Sequence, residues 1–161
     1  MSTTAHATAT DAHDRRRWFG LVALCAAFFM VILDVAIVNV ALPTIQTDLD
    51  FSPRNLQWVV SAYALTFGGL LLLGGRIADL VGRRRVFVTG VALFAAASLV
   101  AGLATSEATL IGARAAQGVG AALMTPAALS ILMTTFAEGR ERNTALGVWG
   151  AVGASGGTVG V

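Results

Sequence analysis

From residue 18 onward the chain is a succession of apolar runs separated by short polar breaks. Each of the first four runs is close to the roughly 20 residues that an α-helix needs to cross a hydrocarbon core. They predict transmembrane helices at about 18–43, 56–73, 86–104 and 110–136, and a fifth that begins at 143 and is still running at residue 161. The segments TIQTDLDFSPRN, TSEA and AEGRERN are polar connections between them. Trp18 and Phe19 mark one interface of the first helix and Pro43 its far end. Residues 1–17 carry no apolar period; they predict a disordered tail that closes on Arg15, Arg16 and Arg17.

Composition turns this pattern into a class. The 161 residues are 56% hydrophobic and 12% charged, with a mean hydropathy of +0.75. A soluble domain is charged at about a quarter of its positions. The expected fold class is therefore an all-α membrane protein with four complete transmembrane helices and part of a fifth. A formal charge of +2 gives no case for a nucleic-acid partner. The arginines before the first run suggest a signal peptide, but that run is longer than the roughly 7–15 residues of such an apolar region, and no cleavage site ends it. Cys25, the one cysteine, lies in an apolar run without a CxxC or histidine partner and reads as a small buried thiol. His6 and His13 have no companion ligands, so no metal and no cofactor is expected. QGVGAA lies within an apolar helix with no strand before it, which removes a dinucleotide loop, and no nucleophile–histidine–acid set exists outside the tail. The chain does not read as an enzyme.

The charges that remain are distributed unevenly. With the N-terminus in the cytoplasm, Arg15, Arg16, Arg17, Arg76, Arg83, Arg84, Arg85, Arg140 and Arg142 all fall inside, and Arg54 alone falls outside. That bias predicts a multi-pass protein of the cell membrane with a cytoplasmic N-terminus. It makes GGRIADLVGRRRVF, residues 74–87, a cytoplasmic loop whose arginines hold orientation.

Orientation leaves other residues unexplained. Asp34 and Arg114 stand inside apolar helices, where an ionised side chain costs at least about 2.5 kcal/mol. Asp34 either hydrogen-bonds a neighbouring helix or takes up protons or a cationic ligand; Arg114 either snorkels to the interface or faces a water-filled path. Asn39 and Gln117 add polar groups on the same two helices and can equally be interhelical glue. In the fifth helix Gly147, Gly150, Gly153, Gly156, Gly157 and Gly160 recur about every third residue. Such a face lets another backbone come close, as ordinary packing or as a sliding surface.

Four of these stretches resemble the major facilitator superfamily, most of all its drug:proton antiporter branch with fourteen transmembrane helices. The G-x-x-x-D-x-x-G-R-R/K pattern between helices 2 and 3 of that superfamily is met by Gly75, Asp79, Gly82, Arg83 and Arg84. Arg114, Gln117, Gly118 and Gly120 match the R-x-x-Q-G-x-G of helix 4 in proton-coupled members. Leu33, Asp34, Asn39, Ala41, Leu42 and Pro43 match the helix 1 pattern of the drug antiporters, with Ala36 in place of threonine. Gly156 and Gly160 begin the glycine-rich antiporter pattern of helix 5, with Val161 where proline is usual.

The resemblance covers about residues 15–161 and implies the N-terminal part of a major facilitator fold. It implies a proton-coupled multidrug efflux transporter working by alternating access, of which this chain is a fragment. Asp34, Arg114, Asn39 and Gln117 would form the proton and substrate site. Gly75, Asp79, Gly82, Arg83 and Arg84 would form a cytoplasmic gate loop, and Gly153, Gly156, Gly157 and Gly160 a packing surface for the other half. The implied partners are protons, a small lipophilic and often cationic compound, the lipid bilayer and the C-terminal half of the same transporter. A metabolite uptake carrier of the same superfamily and an inactive membrane fragment are the alternatives.

Overall fold

A computed structural model describes the backbone of residues 3–159, with the side chains of Arg15 and of residues 17–155. Among these residues there are five helices: α1 (Thr3–Asp48), α2 (Pro53–Val81), α3 (Arg83–Gly102), α4 (Glu107–Thr135) and α5 (Arg140–Val159). Four of them, all but α5, contain stretches long and apolar enough to cross a membrane.

The helices begin and end by local rules. Ser52 caps α2, its hydroxyl accepting from the Asn55 amide at 3.2 Å, with Pro53 in the first turn. Ser106 caps α4 in the same way through the Thr109 amide, and Glu107 adds an acidic group to that first turn. Gly139, at φ 109°, separates α4 from α5. Pro43 does not end the first helix; α1 passes through it to Asp48. The missing N–H costs one backbone bond, and a helix in an apolar setting tolerates that better than a broken run of unpaired groups. At its other end α1 extends back through Thr3, over residues the sequence pattern assigns to a tail.

Residues 74–87 are not a loop. Gly74 to Val81 form the last turns of α2, Arg83 opens α3, and Gly82 alone turns the chain. Its φ of 110° and ψ of 123° lie where a side chain is strained, so only glycine makes this corner cheaply. Hydropathy marks the stretch that fits in hydrocarbon, whereas backbone hydrogen bonding carries the helix on into the polar interface; the predicted span of 56–73 grows to 53–81 for that reason.

α4 is the axis of the bundle, packed against α2 on one flank and α3 on the other, while α1 packs mainly on α5. The two flanks of α4 are lined by small residues. A Cβ placed on Gly118 would sit 2.6 Å from the Tyr63 carbonyl of α2, and one on Gly120 would sit 2.7 Å from the Phe94 amide of α3. Gly74 approaches closest of the backbone contacts: its Cβ would lie 2.1 Å from the Ala122 carbonyl oxygen. That carbonyl is the one left without its helical N–H by Pro126, four residues on. Thr66 reinforces the contact by donating to the Ala115 carbonyl across the α2–α4 interface at 3.0 Å. Backbones that approach this closely gain dispersion and Cα–H···O contacts, which replace the hydrophobic effect as the force between helices in lipid.

α1 joins this core through three apolar clusters along its length, contributing Leu21, Leu24 and Cys25 to the first, Val31 to the second, and the partly buried Val38 and Leu42 to a third built on Phe51, Val59 and Leu110. α5 is fastened to it by the stacked rings of Phe28 and Trp149, 4.4 Å apart, and by an Arg17–Glu141 pair at 3.5 Å. At one end of the bundle Trp18 meets Phe136 edge-on at 5.5 Å. At the opposite end Glu107 accepts from the Ser52 amide at 3.1 Å and the Asn55 amide group at 2.7 Å, tying the α1–α2 connection to the start of α4.

Candidate functional site: a buried ion pair at the meeting of four helices

Arg114 and Gln117 are three residues apart on α4 and so share a face. Both are nearly inaccessible, at 2% and 1%. Asp34 comes to them from α1. Its Oδ2 accepts from Arg114 Nη1 at 2.5 Å, and its Oδ1 accepts from Gln117 Nε2 at 2.7 Å. Gln117 completes a ring by accepting from Arg114 Nη1 through Oε1 at 2.9 Å. Its amide nitrogen also donates to Ser98 Oγ of α3 at 2.8 Å, and Ser98 passes a hydrogen bond to its own helix at the Phe94 carbonyl. From α2, the Val59 carbonyl accepts from Arg114 Nε at 3.0 Å, and the Tyr63 ring lies under the guanidinium with 4.5 Å between its centroid and Cζ.

Four helices thus contribute to one polar knot inside an apolar bundle. Such a knot holds together only when every member is satisfied, since a charge left alone in low dielectric is far more costly than one left alone in water. The carboxylate is the accessible partner, at 15% side-chain exposure against 2% for Arg114. Chemically, the site pairs a carboxylate with a buried guanidinium and a neutral amide.

Of the four residues expected to form this site, the structure brings Asp34, Arg114 and Gln117 together. Asn39 stands apart: it is exposed, and its amide donates to the Val35 carbonyl of its own helix at 2.8 Å. Tyr63, Ser98 and the Val59 carbonyl were not foreseen. A serine in the alanine-rich stretch of α3 and a tyrosine in an apolar run were the available signals. Among the described residues, a cleft of about 310 Å³ runs between α1 and α4 away from this knot, near Arg17, Leu24 and Phe136.

The expected gate residues sit around the α2–α3 corner. Asp79 and Arg83 pair across it at 3.5 Å with side chains 54% and 39% exposed, Arg84 is exposed, and Gly75 faces the Pro126 ring with 3.6 Å for an added Cβ. An exposed pair of this kind is worth at most about 1 kcal/mol. Asp79→Asn should therefore leave the melting temperature of the purified protein within a few degrees of wild type. Of the helix 5 glycines, Gly153 packs against Phe28, with 3.3 Å for an added Cβ. The surroundings of Gly156 and Gly157 and the whole of Gly160 lie outside the described residues.

Membrane-length helices that converge on a buried, hydrogen-bonded ion pair define a polytopic membrane protein with a built charged site rather than a membrane anchor. The sequence profile of the Major Facilitator Superfamily matches residues 24–161, and the chain belongs to that superfamily. It is 53% identical, over 92% of its length, to the puromycin resistance protein pur8 of Streptomyces alboniger, of which it covers 29%. It is 53% identical, over 87% of its length, to the cephamycin export protein CmcT of Amycolatopsis lactamdurans, again covering 29%. The multidrug resistance protein Stp of Mycobacterium tuberculosis is 41% identical over 91% of the chain, which covers 27% of it. The chain thus spans less than a third of the length of these relatives. It is a multi-pass protein of the membrane.

Proposed function

We propose that this chain provides the first helices of a proton-coupled exporter of small lipophilic compounds, with the N-terminus in the cytoplasm. The observation that carries the reading is the Asp34–Arg114–Gln117 ring. It sets a partly exposed carboxylate of the apolar interior beside a buried arginine, where proton uptake and arginine pairing would compete. The names of the relatives, a resistance protein and an export protein among them, favour outward movement of an antibiotic-like cargo.

In this reading a proton or a cationic cargo replaces Arg114 as the partner of Asp34. Only one occupant is accommodated at a time, which couples inward proton flow to outward cargo flow as the site faces each side in turn. Coupling needs no more than this: each ligand stabilises the state in which the other is absent. The α2–α3 corner and α5 would meet the remainder of the transporter.

The test is drug-driven proton release in vesicles that carry the full-length protein. Asp34→Asn keeps the hydrogen-bonding shape and removes the ionisable group. It should reach the membrane at wild-type levels and lose exchange to the level of passive leak. Exchange that survives in Asp34→Asn would remove Asp34 from the coupling step, and cargo entering together with protons would reverse the direction in favour of an uptake carrier. Accessibility of single cysteines placed at Asp50 and at Arg84 to an impermeant thiol reagent from either side tests the orientation.

A further inference from the structure

If the carboxylate of Asp34 is neutralised, Arg114 stays behind with its charge. A guanidinium buried to 98% and stripped of its only counter-ion among the described residues would ordinarily force the helices apart or draw water in. Arg114, however, is seated on groups that carry no net charge. The Val59 carbonyl takes Nε, Gln117 Oε1 takes Nη1, and the face of Tyr63 covers the flat side of the guanidinium. Val59 and Tyr63 are one helical turn apart on α2, which is tightly packed on α4, the helix that carries Arg114 itself. The neutral seat thus belongs to the closely packed α2–α4 pair, and the counter-ion comes from α1, whose main neighbour is α5. Tyr63 is 6% exposed, and its hydroxyl has no hydrogen-bond partner among the described residues. What it offers Arg114 is the ring, a negative quadrupole face at cation–π distance, not the phenol oxygen.

We infer that Tyr63 is a positioning residue: its ring holds Arg114 in place while Asp34 is neutralised, so that the acid can change partners without the arginine leaving its seat. The purpose of this device rests on the exchange reading above; its test does not.

The test is a double-mutant cycle on the melting temperature of the full-length detergent-solubilised protein, with Asp34→Asn standing for the neutral acid. In the wild-type background Arg114 still has its carboxylate, so Tyr63→Leu should cost its packing and only a small part of the ring's hold on the guanidinium. In the Asp34→Asn background the same change should cost more, and the double variant should melt below the sum of the single effects by about 3 °C or more. Tyr63→Phe keeps the ring and should restore the Asp34→Asn value. Should Tyr63→Leu not assemble, fluorinated phenylalanines at position 63 keep the shape and weaken the quadrupole stepwise. Melting should then fall with each added fluorine, more steeply in the Asp34→Asn background than in the wild type. Additive effects, equal fluorine responses in the two backgrounds, or a failure of Tyr63→Phe to rescue would each overturn the inference. Absence of drug-driven proton release in the wild-type protein would instead overturn the exporter reading and leave the melting cycle to be judged on its own.

Discussion

Arg114→Met is expected to cost about 3 kcal/mol of stability and to abolish exchange. Methionine fits the volume of the arginine stem, so the cost is electrostatic. Removing one member of a buried pair typically costs about 3–5 kcal/mol; the lower figure applies because Asp34 retains some solvent contact. The loss spreads beyond the ion pair. Gln117 Oε1 and the Val59 carbonyl lose their donor at 2.9 and 3.0 Å, and Asp34 keeps only the Gln117 amide at 2.7 Å. Arg114→Lys should not rescue it. An ammonium is a point charge, whereas the guanidinium reaches Val59 through Nε and the other two acceptors through Nη1. Thermal unfolding and vesicle exchange, measured on the same preparations of both variants, check this. A lysine variant with wild-type exchange would mean that the charge alone matters and the fork geometry does not.

Gly74→Ala should be the most damaging change of a single methyl group. The added carbon would lie 2.1 Å from the Ala122 carbonyl oxygen and 2.9 Å from its carbon. Both are backbone atoms, so no rotamer change relieves the overlap, and α2 must move away from α4. Overpacking costs about 1–3 kcal/mol where side chains can adjust; a clash between two backbones belongs at or above the top of that range. The yield of monodisperse protein and its melting temperature should both drop sharply. Gly69→Ala, one and a half turns earlier on the same helix, is the control. Nothing lies within 4 Å of a Cβ there, so the change should be neutral or stabilise the helix by up to about 1 kcal/mol. Equal behaviour of the two variants would refute close backbone packing as the source of the α2–α4 interface.

Much of this was visible in the order of residues, and the parts that were not have physical causes. Asp34, Arg114 and Gln117 were found because a charge or amide in an apolar run has to be accounted for by a partner. The same signal misplaced Asn39, because an asparagine on a helix has a second way to be satisfied: the Val35 carbonyl one turn back. Tyr63 escaped notice because an aromatic ring in a membrane helix looks like core until the neighbour across the interface is known. The glycine pattern pointed to Gly75, yet the steric demand falls on Gly74, one position earlier. Spacing along a sequence gives the neighbourhood of a contact; the rotation of each helix about its axis, which decides the residue, is set by packing. The four spans were legible from hydropathy, but their ends were not, since the hydrogen-bonded helix does not stop where the hydrocarbon does.

The single-residue corner at Gly82 has a mechanical side. Four residues, 49–52, join α1 to α2, and that length can absorb a relative shift of the two helices. One residue between α2 and α3 cannot. A displacement of the C-terminal end of α2 carries the start of α3 with it in the same direction, like a rod linked to a second rod by one pin. The adjoining ends of the two helices are therefore tied to each other, and an inserted residue at the pin should leave both folded while loosening that tie.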